Sequence, residues 1–242
     1  MCGRYLTKDQ RALERELFLN IIRWPQWAGS YNIAPTQLAP VVLDTTDGHV
    51  CELMRFGLVP HFAHGEPPKY STINARIENL TQTPSWRGPW KRSQRCLVLA
   101  SGFYEWHFLS DGKTKQPYLV RPQDQESFAF AGLWDASKTA DGTVTHSFAI
   151  VTLPASPLMA QIHNAKKREP AMLTREDCVT WLGGSAEQAF SVLKQYPDEL
   201  LLAYPVSHRV NSPKNNDARL MEKERAMTAR PEDTAQNSLF VI

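Results

Sequence analysis

Across 242 residues the chain carries 42% hydrophobic and 21% charged residues, ordinary values for a soluble globular protein with one large domain or two small ones. A net charge of +2 permits an anionic partner without demanding one. Four cysteines (Cys2, Cys51, Cys96, Cys178) lie far apart with neither a CxxC pair nor Cys/His ligand spacing. That spacing makes neither a metal site nor a disulfide framework expected, and no cofactor is expected; no apolar leader or membrane-length run occurs, and a reducing cytoplasm is the expected setting.

The chain opens Met1-Cys2-Gly3-Arg4. Removal of Met1 ahead of the small Cys2 side chain would leave a thiol and an α-amine on adjacent carbons, a pair no internal cysteine offers. With reference pKa values of about 7.7–8.0 for the amine and about 8.5 for the thiol, both are partly available as nucleophiles at neutral pH. The alternative is an ordinary residue of a frayed terminus.

Thr7-Lys8-Asp9-Gln10 reads as a capping box opening a helix. Leu13, Leu17, Phe18, Ile21 and Ile22 form its apolar stripe, and Trp24-Pro25 ends it. A loop from Tyr31 to Thr36 precedes strands at 39–43 and 52–58, joined by an Asp47-Gly48 turn. Residues 60–69 read as an exposed loop, and a polar segment holds Trp86 and Trp90. The apolar run 95–100 predicts a buried strand continuing into Gly102-Phe103-Tyr104-Glu105-Trp106, with Phe103 and Glu105 on one face and Tyr104 and Trp106 on the other. Further strands are expected at 117–121, 128–133 and 147–153.

Ser156-Pro157 starts a short helix with Leu158 and Ile162 on one face and Met159 and His163 on another. Thr174 caps a helix through Leu182, stopped by Gly183-Gly184, and Ser185 to Gln188 is a second capping box. Strands outnumber helices and are mostly turn-linked. The expected class is therefore α+β, a single domain of mainly antiparallel, barrel-like sheet with peripheral helices. The chain turns polar from about residue 213; the domain is assigned to residues 2–220 and a tail to 221–242.

Four polar residues stand out by context. Glu105 lies in an aromatic strand, where a carboxylate must be desolvated, paired or functional, unless it is a surface residue of an edge strand. His163 ends an amphipathic helix, as a structural histidine also would. Asn74 and Arg76, two apart in an extended segment, point the same way.

Met1-Cys2-Gly3-Arg4, Asn74-Ala75-Arg76-Ile77-Glu78, Gly102-Phe103-Tyr104-Glu105-Trp106 and Ile162-His163, in that order, resemble the SRAP family of SOS response-associated peptidases, also called abasic-site processing proteins. The resemblance runs from residue 2 to about residue 220. It implies a monomeric domain that binds single-stranded DNA and traps abasic sites. Cys2 matches the crosslinking nucleophile, Asn74 the residue orienting the terminal amine, and Glu105 and His163 the acid/base pair. Arg4 and Arg76 match phosphate contacts, Pro35 and Thr36 the loop along the DNA, and Phe62 an aromatic wedge against the bases. Many members follow the histidine with Asp-Arg-Met-Pro. Here Asn164-Ala165-Lys166-Lys167-Arg168-Glu169-Pro170 follows, leaving Arg168, with Lys166 and Lys167, as the candidate phosphate cation.

The chemistry of the residues agrees. An α-amine condenses with the aldehyde of an open abasic sugar, and the adjacent sulfur closes a five-membered thiazolidine in a step that is intramolecular. The imine also permits β-elimination, so lyase activity is expected, and Met1 removal by the chain itself would fit the peptidase label. Two other readings compete: a glutamine amidotransferase, which also begins Met-Cys-Gly, and a non-catalytic single-strand-binding module. In the tail, Gln236-Asn237-Ser238-Leu239-Phe240 resembles the pentapeptide that docks on the bacterial sliding clamp, through Gln236, Ser238, Leu239 and Phe240; the alternative is a last strand packed on the domain.

Overall fold

Strands with apolar residues on both faces build the centre of the molecule. The computed structural model describes residues 2–16 and 19–227. Its first half runs β1 (Tyr5–Thr7), α1 (Gln10–Glu16), β2 (Ile21–Arg23), β3 (Ser30–Ile33), β4 (Leu38–Thr45), β5 (Gly48–Phe56), β6 (Asn74–Arg76), α2 (Pro84–Lys91) and β7 (Arg95–Ala100). The second half runs β8 (Gly102–Phe108), β9 (Lys115–Pro122), β10 (Phe128–Lys138), β11 (Val144–Pro154), α3 (Pro157–Ile162), β12 (Arg168–Pro170), β13 (Met172–Leu173), α4 (Arg175–Gly183), α5 (Ala186–Ser191) and β14 (Leu201–Pro205).

β11, β10, β7, β4 and β5 pair antiparallel in that order, and β5 returns to β11 in parallel register, Arg55 opposite Ser147 and Phe56 opposite Phe148. The ring is therefore closed. The run 95–100 has no polar break because both its faces are covered. Cys96, Val98 and Ala100 cluster with Val41, Met54, Phe130 and Phe148, whereas Leu97 and Leu99 cluster with Trp86, Trp90 and Trp181 of the helices. Buried Arg95 stays soluble in this core by donating to the carbonyls of Trp181, Leu182 and Gly184 at the end of α4.

A second sheet, in the order β14-β9-β8-β1-β3, lies on the barrel through Tyr5, Ile33, Phe103 and Val120. Its other face is covered by Val206, Val210 and Leu220, packed on Leu6, Tyr104 and Leu119. β1 is an inner strand here, with Tyr5 opposite both Phe103 and Ile33. The amino-terminal segment is thus hydrogen-bonded along both edges, the opposite of a frayed end. No helix among the described residues is long and apolar enough to cross a membrane.

The α+β class, the antiparallel barrel and the peripheral helices are as the sequence leads one to expect, and Ser156, Thr174 and Ser185 cap their helices. Three local readings are corrected. Thr7 ends β1, and Asp9 is the residue that caps α1, its Oδ1 accepting from Ala12 N–H at 3.0 Å. Ile21 and Ile22 leave the helical stripe for β2, where two adjacent β-branched residues suit a short strand laid parallel on β5. The segment of Trp86 and Trp90 is helix α2, entered through Pro84, with the two indoles four residues apart on its buried face. His163 caps the carboxyl end of α3, its N–H donating to Met159 O at 2.8 Å one turn back, and both side chains are buried. Packing also continues past residue 213, since Leu220 is fully buried.

Candidate active site

Cys2 is 1% exposed and belongs to the cluster formed by the barrel and the second sheet. Its carbonyl accepts from Asn74 Nδ2 at 3.0 Å, and the same amide nitrogen donates to Ile73 O at 3.1 Å. Asn74 Oδ1 is buried without a partner among the described residues. β6 holds Asn74 in place by pairing parallel to β11, Asn74 opposite Ile150 and Arg76 opposite Thr152. Burial first, and then the Glu105 carboxylate, push the Cys2 thiol pKa well above its ordinary value; the Arg4 backbone N–H pulls it partly back. Met1 lies outside the described residues.

Glu105 is 2% exposed, on the barrel-facing side of β8 with Phe103, while Tyr104 and Trp106 face the covering segment. His163 reaches it from α3, with Nε2 3.9 Å from Glu105 Oε2. Several contacts fix that approach. His163 Nδ1 donates to Arg168 O at 2.9 Å, which directs the other ring nitrogen toward Glu105. Asn164 brackets the end of β8, accepting from Phe108 N–H at 3.0 Å and donating to Phe108 O at 2.8 Å. His107 Nδ1 donates to Gln161 O at 2.7 Å. The sequence singled out neither Asn164 nor His107 as a positioning group.

Two shallow pockets flank this centre. One, of about 290 Å³, is lined by Glu105, His163, Trp106, Phe108, Lys115 and Lys166. The other, of about 270 Å³, is lined by Asn74 and Arg76 together with Tyr70 and Trp86. Asn74 and Arg76 do share one side of their segment, Asn74 buried and Arg76 exposed.

The remaining expected DNA contacts divide into two groups. Arg4 is half-buried and its guanidinium donates to Asn32 Oδ1 at 3.0 Å and to the carbonyls of Val210 and Asn211, so it holds the segment that covers the second sheet. Arg168 forms a two-point ion pair with Glu78 and donates to Thr152 O at 2.7 Å; its hydrogen bond lowers the Glu78 pKa. The terminal nitrogens of both guanidinium groups are engaged within the fold. Lys166, by contrast, is exposed at a pocket rim.

Arg76, Thr36 and Phe62 are exposed, and Pro35 is half-buried. Thr36 holds φ of 78°, a left-handed conformation costly for a β-branched residue, fixed by its N–H donating to Phe56 O at 2.8 Å. Phe62 stands on a short turn pinned to β10: His61 N–H donates to Asp135 Oδ2 at 3.0 Å, and Arg92 holds the other carboxylate oxygen at 3.0 Å. Gln236 to Phe240 lie outside the described residues. Among the described residues no group of three or more His, Cys, Asp or Glu could hold a metal ion.

The model of the family described as SOS response associated peptidase (SRAP) matches residues 1–213. The abasic site processing protein YoqW of Bacillus subtilis is 35% identical over 227 residues, covering 92% of this chain and 99% of its own length. The abasic site processing protein HMCES of Rattus norvegicus is 28% identical, over 89% of this chain and 74% of that protein. A crystal structure of a protein from Bacteroides thetaiotaomicron has the same fold, with a TM-score of 0.78 at 24% identity over 93% of this chain and 100% of that one.

Proposed function

The chain belongs to the SRAP family, and from that membership we propose that it recognises abasic sites in single-stranded DNA and captures them covalently through Cys2. Several relatives are named abasic site processing proteins. What supports the reading in this chain is Cys2 itself, tethered through its carbonyl to Asn74 and within the field of Glu105, with His163 behind that carboxylate.

Loss of Met1 frees the Cys2 α-amine. The amine adds to the C1′ aldehyde of the opened sugar and water leaves, giving an imine. The Cys2 sulfur then attacks the imine carbon while its proton passes to nitrogen, closing a thiazolidine; the sulfur is already tethered, so the step gains a large effective concentration. Asn74 Oδ1 is the acceptor this reading gives to the terminal amine. Glu105 and His163 carry protons between sugar hydroxyl, amine and solvent.

Arg76 contacts a phosphate beside the lesion, Lys166 a second one on the far side, and Thr36, Pro35 and Phe62 line the path of the strand. Arg4 and Arg168 act through the segments they hold. The imine also acidifies the C2′ proton, so its loss with cleavage of the C3′–O bond gives a slow lyase activity. The segment Gln236 to Phe240 is proposed to dock on a sliding clamp, and its deletion should abolish clamp pull-down.

Denaturing gels with an abasic oligonucleotide test the reading. Wild-type protein should form a heat-stable adduct with the lesion-bearing strand and none with intact DNA, and Cys2→Ala should form none. An adduct with Cys2→Ala would overturn thiazolidine capture; release of ammonia from glutamine without any adduct would favour the amidotransferase chemistry.

A further inference from the structure

The pocket of about 270 Å³ beside Asn74 has a composition that phosphate binding alone does not explain. One wall is Tyr70, a residue 57% exposed. Its ring is not loose, because the hydroxyl is hydrogen-bonded to the fully buried Ser85 Oγ at 2.8 Å. Trp86, almost wholly buried in α2, forms the floor. Arg76 supplies a cation at the rim, and Asn79 and Thr83 supply an amide and a hydroxyl. Asn74 closes the pocket on the side where it holds the Cys2 carbonyl, so an occupant lies directly next to the reactive terminus.

A fixed aromatic face, a cation and two groups that both donate and accept hydrogen bonds are together the complement of one nucleotide. A bare anion would leave the aromatic wall unused, and an apolar ligand would bury Arg76, Asn79 and Thr83 unpaired. We propose that this pocket binds the nucleotide immediately next to the lesion, its base stacked on Tyr70 with its edge toward Asn79 and Thr83 and its phosphate on Arg76. A ring already pinned by Ser85 loses little freedom on stacking, which favours binding. The chain would then discriminate among bases at one neighbour of the abasic site and not at the other. This inference rests on abasic DNA lying across Cys2.

Binding of oligonucleotides with a tetrahydrofuran abasic analogue, which has no aldehyde and cannot be captured, isolates the pocket from the chemistry. Fluorescence anisotropy should show that deleting the base on one side of the analogue weakens binding about tenfold, within the range for one base stacked on an aromatic side chain. Tyr70→Ala should show that loss with the base present and little more when it is deleted, while Tyr70→Phe should keep most of the affinity. If base deletion costs Tyr70→Ala as much as wild type, or if Tyr70→Ala binds like wild type, the pocket does not hold the base. Because no adduct forms in this assay, that result leaves covalent capture by Cys2 untouched, and failure of capture with true abasic DNA leaves the pocket result standing.

Discussion

Replacing Asn74 by Ala removes a side chain that grips the backbone of Cys2. The Asn74 amide donates to the carbonyls of Cys2 at 3.0 Å and Ile73 at 3.1 Å. A buried acceptor stripped of its donor costs about 1–3 kcal/mol. If the loss at Cys2 is felt as misplacement of the reacting amine, adduct formation should slow by roughly 5- to 140-fold, at about 1.4 kcal/mol per factor of ten. Asn74→Asp should be slower still, because it loses the donor and sets a second carboxylate near a thiol that Glu105 already raises. Single-turnover adduct formation at saturating oligonucleotide reads the rate, and affinity for the tetrahydrofuran analogue should change far less than the rate does. An Asn74→Ala rate within about twofold of wild type, or an equal loss of rate and affinity, would refute a positioning role for the amide.

Burial pushes the thiols of Cys51 and Cys178 from 9.0 up to about 12. Each therefore stays neutral in the folded chain while ionising in the unfolded one. The stability this gives is complete below about pH 9 and is lost as pH rises toward 12, at about 1.4 kcal/mol per pH unit for each thiol. Urea midpoints that stay level across that window would contradict it. Asn32 donates to the carbonyls of Val210 (3.3 Å), Ser212 (3.1 Å) and Asn215 (2.8 Å) and accepts from Arg4. Asn32→Ala should cost about 1–3 kcal/mol and open residues 208–227 to limited proteolysis, and unchanged cleavage would show that apolar packing alone holds that cover.

The strand at 95–100 and the caps at Ser156, Thr174 and Ser185 were legible because their signals are local: an unbroken apolar run, or a hydroxyl placed before a helix. α2 hid within a segment that reads as polar, although Trp86 and Trp90 anchor the helix on the barrel. Ile21 and Ile22 fitted a helical stripe as well as a strand, and only the free edge of β5 decides between them. The same boundary runs through the site. The grouping of Cys2, Asn74, Glu105 and His163 was implied by the resemblance to the SRAP family, but the partners of Arg4 and Arg168 were not. Val210 and Glu78 lie 206 and 90 residues away from them in sequence, so nothing local shows that these cations are already engaged.

Intact mass of the purified protein, before and after reaction with an abasic oligonucleotide, bears most directly on capture by the terminal residue. Capture through a terminal aminothiol requires a chain that begins at Cys2, and an adduct equal to protein plus oligonucleotide less one water, located on the amino-terminal peptide. An adduct formed by protein that still carries Met1, or one located on any other peptide, would contradict it.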